Sequence, residues 1–294
     1  MTTSSPDLTR SFPPDGPLAG LKAVSLAGNI PGPVAASALL RDGLSVTKVE
    51  GPGGDMLAQA APGLYAELAA GQTVLTLDLR AESGQQAFRE QLSGSDLLIT
   101  SQRPAALARL GVTREALADL NPQLCWVEIV GDTTEPEVPG HDLTYQLQAG
   151  LLAPPQMPRS LLADLSGAHE AARAAVTLLL GRERGRPERW RRVGLRQAAE
   201  GLALPLRHGL TAEGGWLSGR LPGYRLYALK DGWVGVAALE PHFAGRLEAL
   251  LDGRRLPEVL GDMTADECNR LAQQHDLPLH AIASEGAAQA AGLR

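Results

Sequence analysis

The chain has 294 residues, 44% of them hydrophobic and 20% charged, enough apolar material for two domains or one large one with a substantial core. Its formal net charge of −6 argues against nucleic acid or an anionic membrane as the main partner, while leaving room for a local basic pocket. No uninterrupted apolar stretch approaches the roughly 18 residues of a membrane span, and the distant Cys125 and Cys268 match no metal or redox spacing, so free thiols in a reducing cytoplasm are expected.

The opening "MTTSSPDLTRSFPPDGP" lacks the charged-then-apolar pattern of a signal peptide and reads as a loose arm over 1–15. "LKAVSLAG" (21–28) reads as a buried strand running into the turn "GNIPGP". A helix, "VAASALLRDGL" (34–44), and a second strand ending in a glycine-rich loop, "SVTKVEGPGG" (45–54), complete a strand–helix–strand unit. The alternation continues through "TVLTLDL" (73–79), a helix at "AESGQQAFREQLSGS", "DLLITS" (96–101), a helix near "PAALARLG" and "LCWVEIVG" (124–131). Such a pattern predicts an α/β fold whose large domain is a Rossmann-like, mainly parallel sheet covered on both faces. Ligands of these sheets bind beyond the carboxyl ends of the strands, where "AGNIPGP", "EGPGGD", "TSQRP" and "VGDTTEPEVPGHD" all fall.

A long helix is predicted from 164 to about 183, followed by a basic, solvated connector, "GRERGRPERWRR" (181–192). The large domain is placed at 16–190, a linker or helical connection at 191–222, and a smaller α+β domain at 223–294. The last opens with "GYRLYALKDGWVGVAAL", a hairpin turned at Lys230-Asp231-Gly232, and closes with short helices. The G-x-G-x-x-G fingerprint of dinucleotide enzymes is absent after the first strand, and two prolines there remove backbone donors that a pyrophosphate cradle uses. No serine stands in a G-x-S-x-G elbow, and the histidines do not cluster as metal ligands.

Three residues remain as chemical candidates, each with a plain alternative. His141, in "VPGHDLTYQ", can exchange protons near neutral pH, or is a surface histidine before a helix that Asp142 caps. Asp164, in "SLLADLSGAHE", is either the N-cap of its helix or a carboxyl whose apolar surroundings raise its pKa and suit it to proton exchange. Glu240, in "VAALEPHF", marks a strand's exit to solvent or orients a histidine by accepting its second ring proton.

Together with "GPLAGLKAVSLAGNIPGPVAASALLRDGLSVTKVEGPGG", "LTLDLRAESGQQAF", "SQRPAALARLGVTREALADLNPQLCWVEIVG" and "MTADECNRLAQQHDLPLHAI", these segments resemble, in order and spacing, the family III CoA-transferases (CaiB/BaiF) over residues 16 to 290. Within that family they are most similar to the α-methylacyl-CoA racemases. The resemblance implies epimerisation at C2 of a 2-methylacyl-CoA thioester through an enolate, with His141 and Asp164 exchanging the proton and Glu240 pairing with the histidine. Arg103, Tyr145, Pro31 and Gly32 are the implied substrate and CoA contacts, and no metal or redox cofactor is implied. An interlocked homodimer is also implied, with the active site between one chain's large domain and the other's small domain. Two other functions stay open: a CoA-transferase with Asp164 as nucleophile, and a catalytically degenerate member with a binding or structural role. Gly51 and the stretch Ala69-Ala70-Gly71-Gln72 stand where the family usually carries basic residues, which should weaken phosphate binding. The tail that usually returns to the large domain is missing, so a shortened or open acyl pocket is expected.

Overall fold

The computed structural model describes residues 15–251 and 253–284. Two compact units divide at Ala203/Leu204. In chain order the first holds β1 (Lys22–Ser25), α1 (Pro31–Arg41), β2 (Ser45–Glu50), α2 (Met56–Ala60), α3 (Pro62–Ala69), β3 (Thr73–Thr76), α4 (Glu82–Ser93) and β4 (Leu97–Thr100). It continues with α5 (Pro104–Arg109), α6 (Arg114–Leu120), β5 (Cys125–Val130), α7 (Asp142–Gln148), α8 (Leu162–Glu183), β6 (Trp190–Gly194) and α9 (Leu195–Leu202).

The six strands form one sheet in the order β3-β2-β1-β4-β5-β6, every neighbouring pair parallel. Every residue of β4 and β5 is buried, as expected for short apolar runs covered by helices on both faces, whereas the edge strand β3 is largely exposed. Strand order reverses between β1 and β4, which opens a crevice at their carboxyl ends.

Small residues set how closely the helices approach. Gly32 lies in the first turn of α1, where a Cβ would fall 2.1 Å from the Cβ of Ala27, two residues beyond β1. Along α8, Ala163, Gly167, Ala168, Ala171, Ala174 and Ala175 are buried, and a Cβ on Gly167 would meet Leu195 at 2.4 Å. This alanine-rich face lets α8 lie close against α1, α9 and β5.

Three expectations change. Trp190–Gly194, inside or next to the stretch read as a solvated connector, is the sixth strand, and Arg192 at its centre pairs with the buried Glu128 at 2.9 Å. His141, not Asp142, occupies the N-cap of α7. Asp164 is the third residue of α8, whose N-cap is Leu161, so it does not cap its helix.

The second unit contains α10 (Leu204–Arg207), a distorted turn at Trp216–Arg220, β7 (Tyr224–Ala228), β8 (Gly232–Ala237), α11 (Pro241–Leu251), α12 (Leu256–Gly261), α13 (Ala265–Gln274) and β9 (Leu279–Ala283). The hairpin β7–β8 is antiparallel as expected, and β9 adds to β8. Val234, Val236, Leu247, Leu260 and Cys268 share its core. Glu240 lies beyond the end of β8, and its backbone carbonyl accepts from Ala244 N–H to open α11. Among the described residues no helix is long and apolar enough to cross a membrane.

Candidate active site

At the sheet's switch point a cavity of about 190 Å³ is lined from the ends of several elements. Asn29 and Pro31 follow β1, Ser101, Gln102 and Arg103 follow β4, and Gly131 follows β5; Gly140, His141, Tyr145 and Asp164 complete the chemistry-bearing wall. The loops after β1 and β4 are stitched together: Gly28 N–H donates to Ser101 Oγ at 3.1 Å, and Gln102 Nε2 donates to the Leu26 carbonyl at 2.6 Å. Asn29 turns the chain toward α1 with φ of +62°, a left-handed conformation that asparagine tolerates better than most side chains.

Asp164 is half-buried and its carboxylate accepts no hydrogen bond from the described residues. Burial first, and the neighbouring Asp142 carboxylate second, push its pKa up to about 7. Asp142 itself is 4% exposed. Its Oδ1 accepts from the backbone N–H groups of Ala163 at 2.8 Å and Asp164 at 3.1 Å, capping α8 from another helix. Its Oδ2 accepts from Gln146 Nε2, which also donates to the Ser160 carbonyl at 3.0 Å. Gln146 is fully buried, and its Oε1 has no hydrogen-bond partner among the described residues.

His141 is exposed at the cavity mouth, on a backbone fixed by Thr144. His141 N–H donates to Thr144 Oγ1 at 3.1 Å, and that hydroxyl donates back to the His141 carbonyl at 2.7 Å. One turn later the Tyr145 hydroxyl enters a slot made by two glycines: a Cβ on Gly131 or Gly140 would fall 2.1 or 2.3 Å from it. Burial raises the pKa of this phenol, Asp164 and Asp132 add to the rise, and Arg103 opposes it. Asp132 is held well below the usual carboxylate range; burial alone would raise it, but Arg196, Gln197 and Thr134 all donate to its carboxylate.

A second hollow of about 200 Å³ adjoins the first through Asn29 and Gln102, and extends over Gly51, Gly54 and Met56. Lys48 at its base is 3% exposed and committed to Glu50 and Asp55. Its charge is therefore neutralised locally, and Arg103 is the one permanently charged cation among the residues lining the main cavity.

Five sequence candidates, Pro31, Arg103, His141, Tyr145 and Asp164, thus meet at one cavity. Gly32 is not among its lining residues and packs on Ala27; Glu240 lies in the second unit, just before α11. Sequence reasoning missed Asp142 as a cap for another helix and Gln146 as its partner. The i, i+4 spacing of these two in "DLTYQ" was the available signal.

The first unit is thus a doubly wound α/β domain whose switch-point crevice is lined by both a carboxyl of raised pKa and a histidine. A model of CoA-transferase family III matches residues 18–291, and the chain belongs to that family. The "Probable fatty acyl-CoA transferase" of Mycobacterium tuberculosis is 28% identical to it over 190 residues, 58% of this chain and 48% of that protein. The alpha-methylacyl-CoA racemase of Mus musculus is 29% identical over 268 residues, 83% of this chain and 67% of the mouse protein. A CAIB/BAIF family crystal structure from Brucella suis shares the fold with a TM-score of 0.77 at 22% identity, covering 94% of this chain and 86% of that one. The chain spans about half or less of the length of several transferases that it matches. The family's members carry names of both activities, racemase and CoA-transferase.

Proposed function

We propose that this chain epimerises the C2 centre of a 2-methylacyl-CoA thioester, as an α-methylacyl-CoA racemase does. The observation that carries the reading is that Asp164, with its pKa near 7, and His141 line the same cavity. Inversion needs one group to take the C2 proton from one face and a second to return a proton to the opposite face. With neutral His141 as base, the C2–H bond breaks, its electron pair moves into the enolate, and the proton passes to the imidazole. Protonated Asp164 then delivers its own proton to the other face of C2, leaving a carboxylate and an imidazolium. The opposite enantiomer runs the sequence backwards. A carboxyl with a pKa near 7 supplies both forms at neutral pH, which either direction requires.

Arg103 would take a CoA phosphate, and the two adjoining hollows suit an elongated thioester. Tyr145 would line the acyl pocket, and Pro31 would bound it on the α1 side. The working form in this reading is a cytoplasmic homodimer in which Glu240 orients the histidine.

A second reading, transfer of CoA with Asp164 as nucleophile, is favoured by the relatives named as transferases. The discriminating experiment is deuterium incorporation at C2 of a 2-methylacyl-CoA in D₂O. Exchange that is lost in His141→Ala and Asp164→Ala supports the racemase. CoA movement between acids without C2 exchange supports the transferase, and absence of CoA binding by isothermal titration refutes both.

A further inference from the structure

We propose that Asp142 is a positioning residue: its carboxylate caps α8 from outside, leaving the Asp164 side chain unpaired toward the cavity. The inference rests on the reading of Asp164 as the working carboxyl. An aspartate at the third position of a helix ordinarily turns back to the free backbone donors of the first turn. Here the donors of Ala163 and Asp164 are already taken by Asp142 Oδ1. With those two donors taken, and with no hydrogen bond to the Asp164 carboxylate from any described residue, its charged form gains no such stabilisation at the helix end, and a second carboxylate stands beside it. Gln146 holds Asp142 in place through the other oxygen, and Ser160 in turn accepts from Gln146, so three chain segments share one small network.

Asp142 accordingly has two separable effects, one through its oxygen and one through its charge. Other groups face Asp164 as well. The loop before α7 supplies His141, α7 supplies Tyr145, and the loop after β4 supplies Arg103. Asp132 is neutralised by Arg196 of α9. On α1 the only charged residue is Arg41, at the far end of the helix. Among the described residues Asp142 has no ion-pair partner, and it acts on Asp164 directly.

The test uses ligand-free full-length protein with ¹³C-labelled aspartate, and Asp164→Asn to assign its carboxyl signal. Asp142→Asn keeps an acceptor oxygen but loses the charge. It should lower the Asp164 titration midpoint by about one pH unit or more while the Ala163 and Asp164 amides stay protected from hydrogen exchange. Asp142→Ala should also expose those two amides, speeding their exchange about fivefold or more, as loss of a cap does. An unmoved midpoint in Asp142→Asn, or unchanged exchange in Asp142→Ala, overturns the inference. This titration needs no substrate. If the midpoint moves but no C2 exchange is ever seen, the racemase reading fails and the positioning role stands.

Discussion

Replacing Asp164 by asparagine should make the protein more stable at alkaline pH and change little at acid pH. The folded chain holds a proton on Asp164 up to about pH 7, whereas an unfolded aspartate releases it at its ordinary value of 3.8. Between those values the folded state binds more protons than the unfolded state, so stability falls as pH rises through the window and the loss is complete above it. At about 1.4 kcal/mol per pH unit the ceiling is ~4 kcal/mol. Asp164 is only half-buried and opens on a cavity, so solvent screening reduces this to ~1–2 kcal/mol. Asparagine cannot ionise and escapes the penalty. Denaturant unfolding of parent and variant should be compared at pH 4 and pH 8 in a Trp216→Phe, Trp233→Phe background. That leaves Trp126 and Trp190, both in the first unit, as the fluorescent reporters. A stability difference between parent and variant that stays the same at both pH values, within about 0.5 kcal/mol, refutes the claim that burial and Asp142 keep this carboxyl protonated.

Two further outcomes follow from the cavity wall. Gly140→Ala places a Cβ 2.3 Å from the Tyr145 hydroxyl, so overpacking of about 1–3 kcal/mol should displace the ring. The expected result is a fall in kcat/KM for acyl-CoA of about tenfold or more, partly restored by adding Tyr145→Phe. No loss in the single variant would mean that the phenol's place is immaterial to turnover. Arg103→Gln should weaken CoA binding about tenfold and flatten its salt dependence, as expected when a phosphate contact is lost. Titration at two ionic strengths checks this, and an unchanged slope would remove Arg103 from the phosphate site.

Much of the large unit was legible because its information is local. The all-buried runs of β4 and β5 stand out as short apolar stretches, and the prolines of "NIPGP" mark the turn into α1. Strand β6 was not legible, since its Arg191 and Arg192 look like solvent residues until Glu128 on β5 is found to accept Arg192. The meeting of Arg103, His141, Tyr145 and Asp164 was implied by the family resemblance; the loops expected at the carboxyl ends of parallel strands account by themselves only for Arg103 and His141.

Asp164 shows where the line falls. The sequence by itself determined that an acid stands at the start of a long alanine-rich helix, because helical periodicity and residue types are written within a few turns. Only the tertiary structure decided that Asp142, 22 residues earlier than Asp164, takes the capping bonds and leaves Asp164 unpaired. A hydrogen bond between distant segments leaves no periodic trace in the chain. Its effect on a proton's affinity depends on burial and on a neighbouring charge, both of which arise only when the helices pack.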